Sequence, residues 1–156
     1  MASTVYVETT ISSAYVSSRP DPASVHRREA TREWWREQLK RYEPCVSDAV
    51  FLELEKGVWP GKEDAIRLVS PLERLLIDEE VAAVARRYVE ERLVPTDVGG
   101  DALHLAVACV HELDYLLTWN IRHLANPNKL DHLTVINRRL GLLTPRIVTP
   151  EMLWLE

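Results

Sequence analysis

The sequence predicts an α/β fold in which a parallel sheet carries helices on both faces. Three observations point there. Short β-branched or aromatic runs recur along the chain, helical patterns of 3.6-residue period separate them, and no two strand-like runs are joined by a tight hairpin turn. At 156 residues, 46% hydrophobic and 28% charged, the chain has the size and composition of one globular domain, 1–156, with a sizeable core.

Thr4 to Glu8 reads as the first strand and Ile11 to Ser17 as a short helix, stopped by the Arg19-Pro20-Asp21-Pro22 turn. A long charged helix is expected from Ala23 to Tyr42, with Val25, Ala30, Trp34, Trp35 and Leu39 on its apolar stripe. Pro44 ends it and Cys45-Val46 opens a second strand. Ser47 then has the character of an N-cap for a helix to Lys56, with Gly57 as its stop. Lys62 to Pro71 is helical, and Leu75-Leu76-Ile77 is expected as a third strand.

Glu79 to Arg92 follows as a helix with Val81, Val84, Ala85, Tyr88 and Val89 on its apolar side, and Pro95 to Gly100 as a loop. Asp101 to Glu112 is apolar almost all round and should be deeply buried. Tyr115 to Thr118 is the fourth strand, Pro127 to Leu142 is mostly helical, and Arg146-Ile147-Val148 gives a fifth strand.

Several function classes recede on composition. No apolar run is long enough to span a bilayer, and Met1-Ala2-Ser3-Thr4 opens no signal peptide. Cys45 and Cys109, both in hydrophobic surroundings, read as buried free thiols, so a reducing cytoplasm is the expected compartment. A net charge of -5 gives no general nucleic-acid footprint. Arg19, His26, Arg27, Arg28, Arg32 and Arg36 do cluster before Lys40 and Arg41, but Glu29, Glu33 and Glu37 interleave, as on a solvated helix face. RNA or partner contact is the second reading of that run.

The residues that carry chemistry are acids at the edges of hydrophobic runs. Glu8 follows Val5-Tyr6-Val7, Glu53 lies inside Val50-Phe51-Leu52-Glu53-Leu54, and Asp101 opens the apolar helix. Asn120 follows the fourth strand. A carboxylate beside a core needs a counter-charge, and no Lys or Arg adjoins Glu8 or Asp101. In an open parallel sheet the ligand site lies beyond the carboxyl ends of the strands, where Glu8 and Asn120 fall. If the fold gathers these groups, a divalent metal such as Mg²⁺ or Mn²⁺ is the natural partner of their hard oxygens. Metal-dependent phosphodiester cleavage would follow.

Each residue alone has an ordinary explanation. Glu8 can point to water, Glu53 can be helix surface beside Glu55, Asp101 can cap its helix, and Asn120 can make a turn. His104, one turn after Asp101, reads as a packed, hydrogen-bonded histidine rather than a ligand. The joint occurrence at one sheet edge favours a single site.

Tyr6-Val7-Glu8-Thr9-Thr10, Val46-Ser47 through Glu53 to Gly57, Asp101-Ala102-Leu103-His104-Leu105-Ala106 and Leu117-Thr118-Trp119-Asn120 resemble the successive motifs of PIN domains, most nearly the VapC-type toxins of bacterial toxin–antitoxin systems. The resemblance spans essentially the whole chain. It implies a three-layer α/β/α sandwich around a parallel sheet of four or five strands. It also implies a Mg²⁺- or Mn²⁺-dependent endoribonuclease, homodimeric and inhibited by a small cognate antitoxin. By position, Glu8, Glu53 and Asp101 take the places of the family's metal-binding acids, Asn120 that of a fourth acid, and Thr118 that of the hydroxyl residue closing its strand. Glu for Asp at 8 adds a methylene, and Asn at 120 removes a charge.

Three other readings compete. A catalytically weak or inactive PIN-like domain that binds RNA or protein is favoured by Asn120. A receiver-like domain wants paired acids after the first strand, where Thr9 and Thr10 stand instead. A nucleotide-binding domain wants a Gly-rich loop after a strand, whereas Gly99-Gly100 follow a loop. Trp34 and Trp35 project about 100° apart on a helix, so one can pack inward while the other meets a second copy or the antitoxin.

Overall fold

In the computed structural model, which describes residues 1–95 and 100–156, five parallel strands form one sheet flanked by helices. In chain order the elements are β1 (Thr4–Val7), α1 (Thr9–Val16), α2 (Pro22–Glu37), a 3₁₀ turn (Leu39–Arg41), β2 (Glu43–Ser47), α3 (Asp48–Glu55), α4 (Lys62–Val69), β3 (Glu73–Leu75), α5 (Glu79–Glu90), α6 (Asp101–Val110), β4 (Tyr115–Leu117), α7 (Pro127–Leu140) and β5 (Arg146–Val148). The strand order is β3-β2-β1-β4-β5, so the first strand lies at the centre. Tyr6 faces Cys45 of β2 on one side and Leu116 of β4 on the other. The expected loop from Pro95 to Gly100 falls mainly on residues 96–99, outside the described residues.

Strand and helix positions follow from local chemistry. Glu43 donates its backbone N–H to Ser3 O at 2.9 Å, so the next nitrogen, that of Pro44, faces the β3 side. Pairing with β3 begins only at Cys45, and the missing N–H therefore costs no ladder bond. The same proline disfavours a helical Glu43. The long helix stops at Glu37 and tightens into the 3₁₀ turn rather than continuing to Tyr42. β3 also departs from expectation, ending at Leu75 instead of running to Ile77. Asp78 caps α5 by accepting from Val81 N at 3.0 Å, so the chain must turn first and leaves Leu76 exposed.

The core lies on both faces of the sheet. Val5, Tyr6, Val7, Val46, Leu116 and Leu117 are fully buried, as their central strands require. Ala102, Leu105, Ala106, Val107, Ala108 and Cys109 bury nearly the whole circumference of α6. Each large aliphatic chain in this layer contributes about 2 kcal/mol of transfer free energy. Trp34 is buried and donates its indole N–H to Leu153 O at 2.8 Å, tying the chain terminus to α2. Its neighbour Trp35 sits at the edge, half-buried against Tyr15. Cys45 and Cys109 are buried free thiols.

Candidate metal centre

The carboxyl ends of β1 and β4 open onto the amino-terminal turns of α1 and α6, and the acids meet there. Glu8 immediately follows β1 and is 2% exposed. It caps α1, which therefore begins two residues earlier than expected: Glu8 Oε1 accepts from Thr10 N at 3.0 Å, from Thr118 Oγ1 at 2.7 Å, and from Thr10 Oγ1. Its first oxygen is thus saturated with donors. The second, Oε2, lies 4.0 Å from His104 Nε2.

Glu53 reaches the same place from α3. Its Oε1 accepts from Thr9 Oγ1 at 2.6 Å and from His104 Nε2. Gly100 makes this approach possible. A Cβ there would stand 3.0 Å from Glu53 Oε1 and 3.2 Å from His104 Nε2, in the space the pair occupies.

His104 is fully buried, and its Nδ1 lies 2.6 Å from Tyr6 Oη, which lies 2.8 Å from Ser47 Oγ. Burial alone would oppose its charge. The Glu53 hydrogen bond and the charges of Glu8, Glu53 and Asp101 outweigh that and raise its pKa. Nε2 donates to the Glu53 carboxylate, and Nδ1 meets the Tyr6 hydroxyl. Burial keeps the Tyr6 hydroxyl protonated, pushing its pKa well above the ordinary value, and it pairs with both His104 and Ser47. Burial also opposes the Glu53 charge, but the His104 bond and charge hold that carboxyl below its usual range. Ser47 occupies the cap position of α3, as expected, yet makes no capping bond, because its hydroxyl ends this buried chain.

Asp101 is buried in the first turn of α6. Asn120 Nδ2 lies 3.3 and 3.2 Å from its two oxygens. Burial first, then the negative charge of Glu8, pushes the Asp101 pKa up to about 6. Thr118 joins the groups: its hydroxyl donates to Glu8 and accepts from Asn120 N at 2.9 Å.

Glu8, Glu53 and His104 place a ligand-capable atom each within 4.8 Å of one another. Glu8, Glu53, Asp101, Asn120 and Thr118, scattered in sequence, therefore belong to one connected network. His104 differs from the sequence reading in kind: it packs as expected, but with its Nε2 between two acids, Glu53 and Glu8. Thr9, Thr10 and Tyr6 were not singled out as partners; the adjacency of Thr9-Thr10 to Glu8 was the available signal. Two open hollows adjoin the network. One of about 700 Å³ is lined by Thr9, Thr10 and Glu53, and one of about 830 Å³ by Thr10, Trp119 and Asn120.

A parallel sheet with buried carboxylates over the ends of its central strands defines a class of α/β proteins that gather an acidic centre at the sheet edge. The PIN domain family model matches residues 5–130, and the chain belongs to that family. A toxin–antitoxin complex from Klebsiella pneumoniae is similar in structure, with TM-score 0.58 and 17% identity over 94% of this chain and 97% of that one. VapBC2 from Rickettsia felis, bound to a DNA fragment from its promoter, gives TM-score 0.59 and 14% identity over 94% and 98%. VapC20 from Mycobacterium tuberculosis, a sarcin–ricin loop cleaving toxin, gives 0.56 and 14% over 76% and 92%. At these identities the likeness concerns the fold. No curated protein matches the chain.

Proposed function

We propose that this chain is a Mg²⁺- or Mn²⁺-dependent endoribonuclease and the toxin of a toxin–antitoxin pair. The observation that carries the proposal is the gathering of Glu8, Glu53 and Asp101 around the ends of β1 and β4 in a PIN-family chain. The donor set suits a hard ion. Since His104 Nε2 donates to Glu53, carboxylate oxygens are left as ligands, which is the preference of Mg²⁺ and Mn²⁺.

Glu8, through Oε2, and Asp101 would hold the ion, with Glu53 ligating directly or through water. Bound there, the ion would polarise the scissile phosphate and lower the pKa of an attacking water. Thr118 fixes the Glu8 carboxylate by donating to its other oxygen, and Asn120 orients Asp101. His104 steadies Glu53 against repulsion by its neighbours. RNA as substrate, a small antitoxin, a homodimer and a cytoplasmic setting are parts of the same proposal. The toxin–antitoxin neighbours support the antitoxin, and the sarcin–ricin loop cleaving toxin among them supports RNA.

A second reading rests on Asn120, whose amide faces both Asp101 oxygens. It makes the chain a weak or inactive binding module. An RNA cleavage assay with Mg²⁺, Mn²⁺ or chelator, comparing the wild type with Asp101→Asn, separates the two. Cleavage that needs metal and disappears in the variant supports the nuclease. RNA binding without metal-dependent cleavage supports the module, and chelator-resistant cleavage rejects the metal assignment.

A further inference from the structure

The two hollows beside the acidic network meet at Thr10, Trp119 and Arg27, which line both. Trp119 is fixed there: its backbone N–H donates to Thr10 Oγ1 at 2.8 Å and its indole N–H to Thr31 Oγ1 at 2.8 Å. Thr10 in turn contacts Glu8. The Arg27 guanidinium lies over the Trp119 ring, 5.6 Å from its centroid, on an exposed side chain. A cation is therefore parked two residues from the acidic network.

Arg27 also stands apart from the other basic groups of α2. His26 pairs with Glu151, Arg28 donates to Ser17 O at 3.0 Å, Arg32 to Tyr15 O at 2.8 Å and Arg36 to Glu37 at 2.8 Å. Among the described residues no carboxylate pairs with Arg27, nor with Lys56, which lines one hollow, or Arg122, which lines the other. In a chain of net charge -5, unpaired cations on both sides of a carboxylate cluster mark a track for an anion of repeating charge. A sugar–phosphate chain, with one charge at every nucleotide, meets such cations in turn.

We infer that Arg27 grips a backbone phosphate of a single-stranded RNA laid from one hollow to the other across Thr10, with Lys56 and Arg122 meeting phosphates further out. This rests on the ribonuclease reading. The planar fork of Arg27 suits bidentate phosphate contact, and Trp119 holds it aimed.

The test is fluorescence anisotropy of a short labelled single-stranded RNA, in the Asp101→Asn background with Mg²⁺, over a series of salt concentrations. Arg27→Ala should weaken binding about ten-fold and reduce the slope of log affinity against log salt by about 0.7, one phosphate contact on a single strand. Arg27→Lys should lie between. Arg36→Ala, on the same helix but engaged by Glu37, should change neither quantity. An Arg27→Ala variant with the parent's affinity and slope overturns the inference, as does an equal loss in Arg36→Ala. Capture of an acidic protein at Arg27 with RNA binding intact overturns it too. If the wild type cleaves RNA while Arg27→Ala is indistinguishable from it, only this inference fails; if the wild type never cleaves, the ribonuclease reading has failed.

Discussion

Asn120 directs its amide at both oxygens of Asp101, while its own carbonyl accepts from the His123 backbone at 3.1 Å. The side chain is therefore held at both ends, and its orientation is set by the turn after β4. A carboxylate in its place would confront Asp101 with acceptors alone. Asn120→Asp should destabilise the metal-free protein at neutral pH by about 2 kcal/mol, or roughly 5 °C in Tm. Mg²⁺ or Mn²⁺ should restore more stability to the variant than to the wild type. Thermal melts with and without metal decide it. An identical metal-induced shift in both proteins would place Asn120 beyond the ion's influence.

Asp101 gives a pH prediction with the opposite sign from an ordinary salt-bridged acid. Its pKa is raised from 3.8 unfolded to about 6 folded, so the native state holds the proton more tightly. The stability this supplies is complete below about pH 4 and lost as pH rises through 6. The rise corresponds to about 3 kcal/mol at most. In chelator, Asp101→Asn should be more stable than the wild type at pH 7 and gain nothing at pH 4, although it loses cleavage. Urea unfolding at both pH values measures the difference. Parallel curves would show that Asp101 carries no strain from its neighbours.

Tyr6 links His104 to Ser47 inside the core. Tyr6→Phe keeps the ring but strands two buried polar groups, at a cost of about 1–3 kcal/mol. His104 Nδ1 should also lose its partner, so the pKa of His104, read by NMR titration of its ring protons, should change. An unaltered titration in a destabilised variant would reduce Tyr6 to packing.

Thr118→Val tests the hydroxyl between Glu8 and Asn120. The exchange preserves shape but removes the donor to Glu8 Oε1 and the acceptor for Asn120 N. Metal affinity or activity should fall about 10- to 100-fold, and Thr118→Ser should recover much of it. Equal activity in the valine variant would leave Glu8 adequately held by Thr10 alone.

The alternation of strands and helices was legible because each element carries its own period, and the burial of α6 because its apolar residues circle the helix. The acids were legible as charges without a reason beside apolar runs. The histidine that joins them was not. His104 looks like a packed core residue because its partner Glu53 is 51 positions away, and only folding brings the two together. Ser47 misled differently, for its position is that of a cap while its hydroxyl answers Tyr6 across the sheet. β3 was displaced because an apolar triplet, Leu75-Leu76-Ile77, outweighed the cap at Asp78 that dictates where the edge strand must end.

The central place of β1 sets when the acidic centre can exist. The hydrogen bond from Thr118 to Glu8 joins residues 110 positions apart, and β1 completes its second ladder only with β4. Such distant pairing must repay a large loop-closure entropy before it is rewarded, so it belongs to the late stages of folding. On the ribosome, a nascent chain that has emerged through β3 holds Glu8 and Glu53 but neither Asp101 nor the strand that secures Glu8. Assembly of the centre therefore waits on the arrival of residue 120.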